Sequence, residues 1–446
     1  MSKNEPRSQA FRTPKGTQDI LPPESHRWQR FVALYARQAC LAGFGLHQPP
    51  MFEDSGVFRR VGEGTDVVTK EMYEFEDRSG RSLALRPEGT ASVCRAFVQH
   101  RPTVPFKVWY CAPSFRYEKS QAGRFRQHHQ LGAETLGSSD PDVDVEIIAL
   151  AWRVLRDTGL KRMLLLLNTM GDAETRLQYT ALLREFLLSR MSDLDEADRA
   201  KVETHPLRVL DSKSPSARYV IEDAPKIVDM LRMGARSHFE RVQEGLGALD
   251  IPFALEPRLV RGLDYYTHTT FEIQSAALES AQSTLCGGGR YDGLVEALGG
   301  PPTPGIGFGM GIERVLLACD AEAVFGLDGS LLDVWVVDVA GGRNARDLTH
   351  ELRSAGIAAD RSFDHRSMRS QMKAADRSGA GLALIVGDDE ADLGQVTLRH
   401  LRRNVDQQVI ARGDVVAKLL ELLAEEEVQL NRPSAQSPYE WLGGQE

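Results

Sequence analysis

The sequence predicts an α+β chain of at least two domains, on three observations. Residues 106–137 hold two strand-like runs too far apart for a tight turn, so they pair antiparallel across a long loop. Residues 172–250 lose every strand signal and become helical and charged, as a helical module set into a β-rich domain would. From about residue 332 strand and helix alternate, which reads as a compact α/β domain of about 100 residues. The length of 446 residues agrees, being too great for one ordinary domain.

Residues 11–21 form a turn-rich opening segment. Pro22-Pro23-Glu24 open a helix with Trp28, Phe31, Val32, Tyr35 and Ala39 at helical spacing, and Gly43 and Gly45 end it. A strand-like segment runs to Pro49-Pro50, a mark of an edge strand or turn. Two short strands flank Asp77-Arg78-Ser79-Gly80, and Arg86-Pro87-Glu88-Gly89-Thr90 leads into a helix for which Thr90 reads as the N-cap. The paired runs follow, at 106–111 and 130–136, with Gly123 at the tip of their loop. A helix at 140–156, a buried strand at 160–167 and the helical module lead to further strand patterns at 259–266, 271–273 and 286–293. Residues 305–314 run into a helix at 315–319. After a boundary near 326–332, strands are expected at 334–337 and 382–386, then two more short ones; helices are expected at 346–354, 366–378 and 414–424. The domains are thus 1–330, with its insertion at about 172–250, and 331–430; the polar, Pro- and Ser-containing tail, 431–446, is expected to be disordered.

An apolar fraction of 42% with 26% charged residues is that of a soluble globular protein, and no apolar run reaches membrane-spanning length. The N-terminus is polar to Arg12 and offers no apolar signal core. Five scattered cysteines without a CxxC pair argue against a disulfide framework or zinc site and for a reducing cytosol. With a net charge of −9, any nucleic acid must be met by local basic patches.

One such patch runs from Lys107 to Arg126, where five basic residues face a single acid, Glu118. Arg116, Arg124 and Arg126 carry forked guanidiniums suited to phosphate or carboxylate, although a solvated hairpin accounts for the charge equally well. Glu88 and Thr90 at a strand-to-helix turn suit a ligand's ammonium group, with a plain helix cap as the simpler reading. Gly307, Gly309 and Gly311 do not fit GxGxxG, and no GxxxxGK[ST] sequence is present. Small residues before a helix that presents Arg314 suit a flat ligand such as adenine, with close strand–helix packing as the alternative. In Arg261-Gly262-Leu263-Asp264-Tyr265-Tyr266, adjacent tyrosines on a strand face opposite ways. Both reach one pocket only if the strand is bulged or ends there. His128-His129 invites a metal reading, but no third ligand stands at a motif spacing. Residues 343–377 hold eight basic and five acidic residues, read as RNA contact or as solvated helix faces.

Phe115-Arg116-Tyr117-Glu118, Gly123-Arg124-Phe125-Arg126-Gln127 and His129-Gln130-Leu131-Gly132-Ala133-Glu134 resemble motif 2 of a class II aminoacyl-tRNA synthetase, in the version of the histidyl-tRNA synthetases. Arg86 to Thr90, Pro206 to Lys213, Arg261 to Tyr266, Gly288 to Asp292, the run ending at Arg314 and Gly387 to Glu390 extend the resemblance from about residue 13 to about residue 423. It implies a class II catalytic domain on a six- or seven-stranded antiparallel sheet, a helical insertion meeting tRNA and a C-terminal anticodon-binding domain. The first helix running into the strand-like segment with Pro49-Pro50 resembles motif 1, which implies a homodimer joined there, cytoplasmic and with no membrane partner. The activity implied is activation of L-histidine by ATP, with Mg²⁺ on the phosphates and no tightly bound protein metal. The histidyl group then passes from its adenylate to the 3′ end of histidine tRNA.

The resemblance also implies roles. Arg116 meets the α-phosphate, Arg261 adds a cation there or on the histidine carboxylate, and Arg314 holds the γ-phosphate, with Glu118 and Gly309 in the ATP site. Glu88, Gly89 and Thr90, with Gln130, receive the α-amino group; Glu134 and Tyr265 or Tyr266 read the imidazole. Arg124 and Arg126 face the tRNA acceptor end. Lys119-Ser120 and His128 depart from the usual pattern. The alternatives are a catalytically inactive paralogue that regulates ATP phosphoribosyltransferase and a generic RNA-binding α/β protein.

Overall fold

The structure, a computed structural model, describes residues 11–62, 65–118, 123–212, 214–260, 265–279, 282–327 and 332–430. Its contacts divide the chain into two compact units, Met1–Gly326 and Leu327–Glu446.

The first unit is built on an eight-stranded sheet. Six strands, Phe106–Phe115, Gln127–Leu136, Gly305–Gly311, Thr284–Arg290, Thr267–Ser275 and Met163–Thr169, pair antiparallel in that order. Two-residue strands, Gly45–Leu46 and Ala254–Leu255, add one parallel pairing at each edge. The expectation of six or seven strands thus falls one edge short, because a two-residue strand has no period to read. The α+β reading holds.

Alternation decides what each face of this sheet does. In Gly305–Gly311, Ile306, Phe308 and Met310 are buried on one face and the odd positions are all glycine. The apolar face packs on the helices Glu24–Leu41, Pro141–Asp157, Met233–Ala248 and Ile312–Ala321 through Phe31, Tyr35, Ile148, Phe239, Val242 and Val315. On the other face, the helix Thr90–His100 covers one end by packing Val93, Cys94 and Phe97 on Val108, Tyr110 and Leu136. The rest of that face is left to a cleft.

Local chemistry sets the helix ends. Asp140 accepts the Asp142 N–H at 3.1 Å and so caps the helix Pro141–Asp157. Gly43, at φ 78°, turns the chain out of the first helix, and Gly45 belongs to the edge strand rather than the stop. Lys107 Nζ binds the carbonyl of Ala42 at 2.7 Å and Glu146 at 2.6 Å, so this cation of the basic run serves a helix end. Within the helical stretch, Tyr179, Leu183, Val202 and Val220 form a cluster of their own, whereas Met233–Ala248 packs into the main core.

The second unit carries a five-stranded sheet in the order Ala359–Arg361, Val334–Asp338, Leu382–Val386, Gln395–His400, Gln408–Ala411. The first three run parallel and the last two antiparallel. The helix Arg343–Ser354 begins three residues earlier than its apolar period suggested, behind Gly342 at φ 81°. Met368–Ser378 begins two residues later, because Asp364 and His365 hold left-handed backbone just before it. The last helix, Val415–Leu430, runs past Glu427, and the expected disordered tail, 431–446, lies outside the described residues. Among the described residues no helix is long and apolar enough to cross a membrane.

Candidate active site

The register Gly132–Gly309–Gly287 and Glu134–Gly307–Gly289, read across three strands, lays a floor of glycines on the open face of the sheet. At Gly307 the need is steric: a Cβ there would overlap the Glu134 carboxylate. At Gly89 a Cβ would overlap the Tyr110 ring.

At the closed end Glu134 is fully buried. It accepts hydrogen bonds from Thr90 Oγ1 at 2.7 Å, Tyr291 OH at 2.5 Å and Tyr110 OH at 3.3 Å. Burial disfavours its charge and pushes the carboxyl up to about 8, against the pull of these hydroxyls. Glu88 accepts the Thr90 N–H at 2.6 Å and the Ala91 N–H at 2.9 Å. Burial raises Glu88 too, with the two backbone donors opposing it. Glu88 therefore caps the helix, not Thr90, whose hydroxyl is given to Glu134. Gln130, in the lining of the open cleft, accepts from Ser114 Oγ at 3.2 Å.

Tyr265 and Tyr266 precede the strand Thr267–Ser275 instead of lying in a strand. Freed from alternation, their rings sit together, 4.8 Å between centroids, and Tyr265 meets Tyr291 edge-on at 5.9 Å. Tyr291 is in turn fixed by its neighbour: Arg290, wholly buried, is paired with buried Asp144 and donates to Ser138 O at 2.9 Å.

The open end is a cleft lined by Arg116, Glu118, Arg124, His128, Gln130, Gly309, Glu313 and Arg314. Two of its arginines, Arg116 and Arg314, donate to carbonyls. Arg116 Nε donates to Pro87 O at 2.9 Å; Arg314 donates to Gly123 O at 3.3 Å and Thr284 O at 3.1 Å. Gly123, at φ 67°, turns the loop tip toward Arg314. Arg124 pairs with Glu118. Arg126 is turned elsewhere, stacked 3.8 Å over the Tyr117 ring and bonded to Glu118 O at 3.2 Å.

His128 shares the glycine face and His129 the helix face, as neighbours on a strand must. That separates the vicinal pair. His128 is pushed down to about 3 by burial and by the charges of Arg116 and Arg314. His129 donates its N–H to Glu313 at 3.0 Å, holds the same carboxylate through Nδ1 at 2.9 Å, and takes Trp28 edge-on at 4.9 Å. Among the described residues no group of three or more His, Cys, Asp or Glu could hold a metal.

The structure thus gathers Glu88, Thr90, Glu134 and Tyr265 at one end, and Arg116, Glu118, Arg124, Gly309 and Arg314 at the other. Arg261 and Asp264 lie outside the described residues, as do Lys119 and Ser120. Tyr110, Tyr291 and Glu313 were not read from sequence. Alternation could have found Tyr110, which lies an even number of residues before Arg116 on the same strand run.

Comparison with known proteins agrees with this architecture. The family model described as histidyl-tRNA synthetase matches residues 16–315, and one described as an anticodon binding domain matches residues 333–422. The histidine–tRNA ligase of Geobacillus kaustophilus is 45% identical over 429 residues, covering 94% of this chain and all of that protein. The histidine–tRNA ligase of Rhodococcus erythropolis is also 45% identical, over 94% of this chain and 99% of its own length. The crystal structure of apo S. aureus histidyl-tRNA synthetase superposes with a TM-score of 0.78 at 34% identity, covering 92% of this chain and 100% of that one. Matched along nearly its whole length, the chain belongs to the histidyl-tRNA synthetases, a family of class II aminoacyl-tRNA synthetases.

Proposed function

We propose that this chain is a histidine–tRNA ligase. In the first step a carboxylate oxygen of L-histidine attacks the α-phosphorus of ATP; the bond to the bridging oxygen breaks and pyrophosphate leaves. In the second, the terminal ribose hydroxyl of histidine tRNA attacks the acyl carbon, loses its proton, and AMP leaves. The observation that carries this reading is the buried Glu134, ringed by three hydroxyls on the same strand face as Gln130 of the cationic cleft.

Each end of the site then has a task. Glu134, with Tyr265 or Tyr266, reads the imidazole: a pocket that matches both ring nitrogens leaves buried polar groups unpaired with any other amino acid. Glu88, Thr90 and Gln130 receive the α-amino group at Gly89. Arg116 stabilises charge developing on the α-phosphate, and Arg261 adds a second cation there or on the carboxylate. Arg314 takes the γ-phosphate, and Gly309 and Glu118 complete the nucleotide site. Mg²⁺ accompanying ATP would offset charge on the phosphates, and Glu118 and Glu313, paired with Arg124 and His129, are the cleft carboxylates that would be available to hold it. Arg124 and Arg126 face the tRNA acceptor end.

Exposed Leu46, Met51 and Phe52, with Phe75 packed 6.2 Å from Phe52, support a homodimer built on the segment after the first helix. Five unpaired cysteines suit work in the cytoplasm. The test is histidine-dependent exchange of labelled pyrophosphate into ATP. Exchange selective for histidine, and lost in Arg116→Ala and Arg261→Ala, is expected. Histidine binding without exchange would make the chain the regulatory paralogue instead.

A further inference from the structure

The strand Thr267–Ser275 departs from regular pairing at its first residues. Against Thr284–Arg290, Gly289 pairs with Thr270, but the next residue, Arg290, pairs with Thr267. His268 and Thr269 are therefore extra on one side of the ladder, a β-bulge, which re-aims the side chains next to it. His268 takes left-handed backbone at φ 43°, uncommon for a residue with a Cβ, and keeps it only because its surroundings fix it. Main chain supplies part of that: the His268 N–H donates to Gly171 O at 2.8 Å, and its carbonyl accepts the Met170 N–H at 2.6 Å. Tyr265 and Tyr266 stand just before the bulge, and Arg176 Nη1 donates to the Tyr266 carbonyl at 3.2 Å. Whatever sets the bulge sets where these two rings point.

Side chains supply the rest. Buried Asp144 is their centre: Oδ2 accepts Thr269 Oγ1 at 2.6 Å and lies 2.8 Å from His238 Nε2, while Arg290 Nε donates to Oδ1 at 3.1 Å. Burial opposes the charge on Asp144, but the hydrogen bond from His238 and the Arg290 guanidinium hold the carboxyl below its ordinary range. A carboxylate only accepts, so His238 is the donor. The His238 ring also lies against that of His268, 4.9 Å between centroids at 31°. His268 Nδ1 has no hydrogen-bond partner among the described residues, so packing against His238 does much to place the ring. Arg290 in turn precedes Tyr291, the donor to Glu134, and the Asp292 N–H donates to Thr267 Oγ1 at 3.2 Å. Both aromatic sides of the pocket are thus tied to one cluster, and His238, on the helix Met233–Ala248, joins it from outside the sheet. We propose that His238 is a positioning residue for histidine recognition: through Asp144 and the His268 ring it fixes the bulge that aims Tyr265 and Tyr266, without itself touching the substrate. The proposal deepens the histidine–tRNA ligase reading and rests on it.

The experiment places His238→Ala, His238→Gln and His238→Phe beside the parent in histidine-dependent pyrophosphate exchange. His238→Ala is expected to raise the KM for histidine about tenfold, the scale of one lost hydrogen bond to a charged group, with kcat and the KM for ATP within about twofold. Glutamine keeps a donor for Asp144 and phenylalanine keeps a flat ring for His268, so each is expected to recover part of the loss. A change in stability alone would not raise one substrate's KM and spare the other's. Calorimetric binding of histidine requires no catalysis. A parent that binds histidine without exchanging would sink the ligase reading, while the same weakening in His238→Ala still tests the cluster. Should His238→Ala fail to fold, His268→Asn removes the ring contact from the bulge side in a residue that tolerates left-handed backbone, and the same split is expected of it. A histidine KM and affinity that stay at the parent's values, or equal rises for histidine and ATP, would overturn the proposal.

Discussion

The two ends of the glycine floor use opposite chemistry. At the closed end one carboxyl, Glu134, sits among three neutral hydroxyls, in a setting that resists its ionisation. At the open end Arg116 and Arg314 keep permanent charge, and main-chain carbonyls at 2.9 to 3.3 Å hold them in place. A buried neutral network discriminates by matching hydrogen bonds, since each mismatch strands a polar group. A clamp of fixed cations discriminates little but stabilises charge wherever it appears, with no reorganisation at the moment of reaction. The floor lets both operate on one flat face, because glycine adds no side chain between them.

The largest expected effect comes from removing the closed end. Glu134→Ala should lower kcat/KM for histidine by about 10³-fold or more, the scale on which a hydrogen-bonding pocket rejects a mismatch. The KM for ATP should move less than about threefold. Steady-state pyrophosphate exchange, with each substrate varied in turn, checks both. Equal losses for the two substrates would break the division between the ends. Gly307→Ala should behave similarly, since its methyl group would occupy the space of the Glu134 carboxylate.

Next in size is the clamp. Arg116→Ala should cut kcat for exchange by about 10²- to 10³-fold while histidine affinity, measured by calorimetry, stays near the parent's. Arg116→Lys should recover little of it. A compact ammonium cannot bond the Pro87 carbonyl and present a flat fork to phosphate together. Full recovery with lysine would mean that charge alone, and not its geometry, is what the open end supplies.

This contrast also explains which parts were legible in the sequence. Arg116, Arg124 and Arg314 stand out because cations in an acidic chain and glycine runs before a helix are local patterns. The closed end is assembled from four separate segments: Tyr110 and Glu134 on paired strands, Thr90 at the start of a helix and Tyr291 just past a strand meet only in the folded chain. Tyr110 also lies in an aromatic, apolar run that reads as core, and Tyr291 stands among glycines and charges with no period to assign its face. Thr90 reads as a cap until Glu88 is seen two residues before it taking both free N–H groups. Lys107 counts as part of a basic patch until its strand is found to carry it to the end of the first helix. The strands at 106–115, 127–136, 163–169 and 284–290 announced themselves by their apolar runs; the strand expected at 259–266 gives way to Thr267–Ser275, the alternate glycines of Gly305–Gly311 hid that strand, and Gly45–Leu46, Ala254–Leu255 and Ala359–Arg361 were too short to read.

A smaller, sharper probe of the closed end is Tyr291→Phe, which deletes the 2.5 Å donor to Glu134. A hydroxyl that bonds the carboxylate favours its charged form, so its loss should move Glu134 above about 8 and weaken histidine about tenfold. The linked stability follows in sign. A carboxyl raised from the ordinary 4.5 to about 8 contributes stability that is complete below pH 4.5 and is lost as pH rises through about 8. The melting temperature of the parent relative to Glu134→Gln should therefore fall with pH across that window. Histidine, by donating an N–H to the carboxylate, should release a proton on binding at neutral pH. Calorimetry in two buffers of different ionisation enthalpy reads that proton, and its absence would show that Glu134 is already charged in the empty pocket.

The smallest effect tests how far the field of the clamp reaches. His128 is neutral at working pH because burial, Arg116 and Arg314 push it down to about 3. The unfolded chain takes up its proton near 6.5, so the parent loses stability at this residue as pH falls from 6.5 toward 3. His128→Phe keeps a flat ring in the cleft and removes the titration. The variant should match the parent in melting temperature and in KM for ATP, within about twofold, at pH 7.5. At pH 5 it should melt higher than the parent. Saturating ATP should narrow that acid gap, because bound phosphates offset the two guanidiniums and let His128 protonate more easily. A gap at pH 5 that ATP leaves untouched would assign the histidine's shift to burial alone; no gap at all would place His128 beyond the reach of both.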